Sequence, residues 1–82
     1  MTEVNRESRA VVAANLREQR QGMGYSKRQL AKEAGVSEAQ LRKWESGRVE
    51  PSARNLLKII AVIGPSLEWF YTDHNQPGRD GA

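Results

Sequence analysis

Only one residue, Val36, separates a glycine that ends a helix from a serine that begins the next one. In the run Ala34-Gly35-Val36-Ser37, the glycine takes the left-handed backbone conformation at no steric cost. Ser37 follows with a hydroxyl able to accept an orphan amide hydrogen, and Gln40 stands three residues on, the spacing of a capping box. Neither a long continuous helix nor a strand can pass through such punctuation. The chain must instead fold as two short helices meeting at a steep angle across a tight turn, a helix-turn-helix unit.

The rest of the chain reads the same way. Val12, Ala13, Leu16 and Arg20 share one face at helical spacing, which predicts a first helix over about residues 8–22, ended by Gly22 and Gly24. Ser26 with Gln29 forms another capping box and opens a second helix, whose apolar face is Leu30, Ala31 and Ala34. The steep crossing requires a small residue on the earlier helix, and Ala31 supplies it four residues before Gly35. Leu41 and Trp44 are the apolar positions of the third helix, which Gly47 ends. Arg48-Val49-Glu50-Pro51-Ser52 is a loop, with proline suited to the approach to a helix. A fourth helix from about Ser52 buries Leu56, Leu57, Ile59, Ile60 and Ile63 wholly or in part, and Gly64-Pro65 breaks it. Ser66 opens a last short helix with Leu67 and Phe70 turned inward. No strand pattern is present. The expected architecture is all-α, a compact five-helix bundle over residues 8–72, with a flexible N-terminal arm at 1–7 and a disordered tail at 73–82.

Composition narrows the chemistry. With 82 residues the chain is one domain with a small core. It has no cysteine and one histidine, His74, so neither a disulfide framework nor a Cys/His zinc cluster is available. No carboxylates stand at catalytic spacing and no glycine-rich loop cradles a phosphate, which argues against an enzyme. No metal or other cofactor is expected. The N-terminal stretch MTEVNRESR lacks the apolar run of a signal peptide, so a reducing, cytoplasmic setting is the default. The formal charge is only +3, but it is concentrated. Residues 17–58 carry ten Lys and Arg against five acids, while residues 59–82 are net −2. A basic centre suits an anionic partner such as nucleic acid, and equally a solvated surface.

The spacing of a dozen positions resembles the lambda-repressor/Cro, or XRE, type of helix-turn-helix domain. The family pattern runs LRxxRxxxGxSxxxLAxxxGVSxxxhxxhExGxxxPS, with h apolar, and this chain has LREQRQGMGYSKRQLAKEAGVSEAQLRKWESGRVEPS. The likeness extends through the apolar fourth helix to SLEWFY and covers about residues 13–72. It implies a five-helix domain that binds double-stranded DNA operators, usually as a homodimer, with the third helix in the major groove. Carried over by position, the base readers are Glu38, Ala39 and Lys43, with Gln40 at the edge. Phosphate contacts fall to Lys27 and Arg28 at the start of the second helix, Arg42 and Arg48 flanking the third, and Ser52 and Arg54 at the start of the fourth. The family often has Gln where this chain has Lys27, and lysine meets a phosphate as a point charge with less geometric control. Arg20 and Glu45 match a family pair that forms a largely buried ion pair.

The resemblance leaves alternatives beside these assignments. The polar positions of the third helix are also what any amphipathic helix presents to water, and each basic residue can be a solubility charge. Trp69 and Tyr71 exceed what the last helix needs for its own core. They serve either as a lid over the fourth helix or as anchors of a dimer interface, and the dimer is preferred for Trp69. The leading expectation is a repressor-like transcriptional regulator reading a palindromic operator. The alternative is an antitoxin of the HigA type, suggested by WESGRVEPS, that binds a protein toxin as well as its operator.

Overall fold

The computed structural model describes the backbone of residues 2–74 and the side chains of residues 8–74. Among the described residues there are five helices and no strand: α1 Thr2–Gly22, α2 Lys27–Ala34, α3 Glu38–Glu45, α4 Ala53–Ile63 and α5 Leu67–Phe70. α1 packs against α3 and α5, α2 against α3 and α4, and α4 against α5. The all-α, five-helix expectation therefore holds.

Serine begins every helix after the first. Ser26, Ser37, Ser52 and Ser66 have extended backbones, and each hydroxyl accepts from the amide three residues on. At Ser26 the reciprocal bond is present as well, Ser26 N donating to Gln29 Oε1 at 3.0 Å. At Ser37 the serine half forms, with Gln40 N donating to its Oγ at 3.0 Å. The Gln40 side chain lies exposed on the outer face of α3. Gly35 ends α2 at φ 76° and turns the chain between the two short helices, its amide and that of Val36 both donating to Ala31 O. A side chain at Gly35 would find space but not the backbone conformation.

The core is Val12, Ala13 and Leu16 of α1, Leu30, Ala31 and Ala34 of α2, Leu41 and Trp44 of α3, Leu56, Ile59 and Ile63 of α4, and Phe70 of α5. Tyr25, Val36, Ile60, Val62, Leu67 and Trp69 pack around its edge.

Two expectations are corrected. α1 begins at Thr2, not near residue 8, so residues 2–7, expected as an arm, continue the helix; no glycine or proline interrupts them. Leu57 is 53% exposed, not buried. One position beyond Leu56, it is carried about 100° round the helix from the buried line of Leu56, Ile59 and Ile63. At the start of the stretch expected as a tail, His74 lies against Trp69 with ring centroids 4.5 Å apart, and its Nε2 is 3.0 Å from Trp69 O. Residues 75–82 lie outside the described residues.

Candidate nucleic-acid interface

α3 is held from behind by polar contacts to α1. Arg20 and Glu45 are 8% and 3% exposed. The guanidinium donates from Nε to Glu45 Oε2 at 2.7 Å and from Nη2 to Oε1 at 3.1 Å. Its Nη1 donates to Tyr25 O at 2.8 Å in the loop before α2. Arg17 donates to the backbone carbonyl of Glu45. One arginine thus ties together α1, the end of α3 and the start of the helix-turn-helix, and the expected buried ion pair is present.

With that face turned inward, Glu38, Ala39, Gln40, Arg42 and Lys43 are left outward, Glu38 partly covered and the others exposed. Arg42 Nη2 donates to Glu38 Oε2 at 2.9 Å, one turn along the helix. Arg42 therefore lies with the expected base readers and not apart from them. Lys43 in turn lies with an expected phosphate contact. Arg42, Lys43, Ser46 and Arg48 line a shallow cleft of about 210 Å³ at the end of α3. A helix C-terminus ordinarily repels anions, but here its last carbonyls are taken. Ser46 N donates to Arg42 O at 3.0 Å, Arg48 N to Lys43 O at 3.2 Å, and Gly47 N to Trp44 O at 3.2 Å. Ser46 Oγ also donates to Lys43 O at 2.8 Å.

The remaining sequence-predicted positions are dispersed. Arg28 is exposed and Lys27 half-buried in the first turn of α2. Ser52 caps α4 through Asn55 N at 3.1 Å, and Arg54 is exposed in the first turn of that helix. Trp69 is half-buried, packed edge-on against Phe70 with centroids 5.0 Å apart at 88°. Tyr71 is 39% exposed, and its hydroxyl donates to Glu50 Oε2 at 2.8 Å. Burial first, then that hydrogen bond and the charge of Glu50, push its phenol up to about 12.

Sequence reasoning missed Asn15. This buried residue donates from Nδ2 to Phe70 O and Thr72 O at 2.8 Å each and to Trp69 O at 3.3 Å, fastening the end of α5 to α1. Its position three residues after Val12, on the buried face, is the available signal. Gln19 was missed too; its Nε2 donates to Ile63 O at 2.8 Å at the end of α4.

Residues 16–70 match the Helix-turn-helix family, and the chain belongs to it, in the lambda-repressor/Cro (XRE) type. Over 44 residues the chain is 39% identical to an uncharacterized HTH-type transcriptional regulator of Haemophilus influenzae, covering 54% of this chain and 18% of that protein. Over 74 residues it is 31% identical to a transcriptional regulator in the ATPase CF(0) region of Rhodospirillum rubrum, covering 88% and 68%. Over 68 residues it is 29% identical to the HTH-type transcriptional regulator DicA of Escherichia coli, covering 80% and 50%. The chain thus spans between 18% and 68% of the length of these relatives. No solved structure matches. Among the described residues no helix is long and apolar enough to cross a membrane, and no group of His, Cys, Asp or Glu could hold a metal ion.

Proposed function

We propose that the chain is a sequence-specific double-stranded DNA-binding transcriptional regulator, repressor-like, that lays α3 in the major groove. The observation that carries the reading is the division of α3 into two faces. Leu41, Trp44 and Glu45 face the bundle and are fixed there, while Ala39, Gln40, Arg42 and Lys43 are exposed beside a basic cleft. A helix held rigidly from behind, with small and polar groups outward, is what reading base edges requires. In this reading Glu38, Ala39, Gln40 and Lys43 face the bases. Lys27, Arg28, Arg48, Ser52 and Arg54 fix the backbone, with Arg42 at the boundary between the two sets. The relatives named as transcriptional regulators support the role.

One recognition helix covers too few base pairs for genomic specificity, so the protein acts as a homodimer on DNA. Trp69 and Tyr71, at the end of α5, are the side chains put forward for the dimer interface; Tyr71 is 39% exposed and Trp69 is half-buried. Selection from a random duplex library with purified protein tests the proposal. The expected result is a palindrome with half-site centres about 10 bp apart. Recovery of no preferred sequence would refute it, and a small protein co-purifying in fixed ratio would favour the antitoxin role.

A further inference from the structure

Two ionisable side chains on the outer face of α3 meet one another before any partner arrives. Arg42 Nη2 donates to Glu38 Oε2 at 2.9 Å, and both side chains are open to solvent. An exposed pair at this spacing adds little to stability. Its consequence is where it holds the guanidinium. Helical side chains lean toward the N-terminus, and Glu38 keeps Arg42 there, alongside Ala39, whose methyl is the smallest side chain on the face. One N–H is used in the pair. A guanidinium has five, and a carboxylate has a second oxygen and further lone pairs. The pair therefore still offers two parallel donors next to an acceptor.

That arrangement is the complement of one base pair. In the major groove guanine presents two acceptors, N7 and O6, and its partner cytosine presents the N4 amino donor; A·T offers a different order and a methyl group. We propose that Glu38 and Arg42 act as a single composite reader of one G·C base pair in each half-site. Arg42 donates to N7 and O6 of guanine, and Glu38 accepts from N4 of cytosine. Electrostatics separates this role from phosphate binding. Glu38 cancels the charge of Arg42, so the pair as a unit is not drawn to the DNA backbone. Arg48 lines the same cleft as Arg42, Lys43 and Ser46, and among the described residues it forms no ion pair, so it supplies attraction to phosphate beside the pair. The inference rests on the proposal that α3 enters the major groove.

The test uses the full chain, its selected duplex, variants of that duplex changed at each base pair, and random-sequence duplex, titrated at several salt concentrations. Wild type should lose about tenfold or more in affinity when one particular G·C pair per half-site is changed. Glu38→Met and Arg42→Met should each remove most of the preference at that pair and leave it intact elsewhere. The double variant should lose little more than either single one. Glu38→Met should also bind random duplex more tightly, because a negative charge has left the interface. The proposal is overturned if Arg42→Met weakens selected and random duplex equally, with base preference unchanged and the salt slope reduced by about one. Arg42 would then be a phosphate contact. Ala39→Glu separates that failure from failure of the wider reading: it should abolish binding to both duplexes, placing α3 at the DNA whatever Arg42 does. If Ala39→Glu binds like wild type, or if no site is ever selected, both proposals fall. Circular dichroism of each variant, at positions outside the core, confirms that the fold is retained.

Discussion

Replacing Glu45 by glutamine keeps the shape of the side chain and removes its charge. Arg20 would then be left 8% exposed with a neutral amide and the carbonyl of Tyr25 as partners. A buried ion pair contributes little net stability, because desolvation offsets the attraction, but removing one partner strands the other and costs about 3–5 kcal/mol. The bidentate contact at 2.7 and 3.1 Å and the burial of both groups place this pair in that range, not in the range of exposed pairs. A domain of this size is stable by roughly 5–15 kcal/mol, with a small one at the low end. Glu45→Gln should therefore lower the melting temperature by about 12 °C or more, at ~4–8 °C per kcal/mol. Arg20→Met with Glu45→Leu should recover much of the loss, since no charge is left buried. Breaking the exposed Glu38–Arg42 pair is the control and should cost only about 0.3–0.5 kcal/mol. Urea and thermal unfolding followed by circular dichroism give all three values. If Glu45→Gln costs no more than the control, Arg20 is solvated in the folded protein and the reasoning fails.

Asn15→Ala removes the side-chain donor from the carbonyls of Phe70 and Thr72, and one of the donors to Trp69 O, and should cost about 1–3 kcal/mol, with amide exchange in α5 accelerated before that in α2; uniform exchange would show that α5 is held by other means. Tyr71 should ionise near pH 12, and because its folded value lies above the ~10 of the unfolded chain, its contribution is complete below pH ~10 and is lost as pH rises from about 10 toward about 12. Tyr71→Phe should remove that decline, measured by phenolate absorbance and by thermal melts on either side of pH ~10. Arg48→Ala should weaken specific and random DNA alike and reduce the salt slope by about one for each phosphate it no longer neutralises. Lys43→Ala should relax preference at one base pair of the selected site, checked by titrations on both DNAs; equal weakening on both with base preference untouched would refute its placement at the bases.

Helix boundaries were legible because this chain writes them in side chains that act locally. A serine that accepts an amide hydrogen three residues on and a glycine that tolerates positive φ need no tertiary partner, so Ser26, Ser37, Gly35 and Ser66 could be read in isolation. The start of α1 could not. Val4 is the only apolar residue among positions 2–7, and no glycine or proline stands there, so periodicity alone begins the helix too late. Leu57 misled for the opposite reason. Composition marks it as core, while the register set by Leu56 and Ile59 turns it outward. Side-chain pairings across elements were the least legible. Asn15 reaching the end of α5 depends on two helices meeting 55 residues apart in sequence. The Arg20–Glu45 pair was reached through family resemblance, not from spacing.

The same distinction governs the charge. A net +3 is a weak argument for a DNA-binding surface, and α3 taken alone is neutral, with Glu38 and Glu45 against Arg42 and Lys43. Folding separates these charges by face. Glu45 is drawn into the core by Arg20 of α1, and Glu38 is paired with Arg42, so Lys43 remains as the outward excess charge of the helix. Arg48 then adds to it at the cleft beyond the capped C-terminus. The Arg20–Glu45 pair therefore stabilises the orientation of α3 and at the same time removes a carboxylate from the surface that would meet phosphate. An acid placed one position earlier, at 44, would lose the pairing with Arg20 and evict Trp44 from the core. What fits a helix like this one to an anionic groove is the partition of its charges between two faces, which net charge does not record.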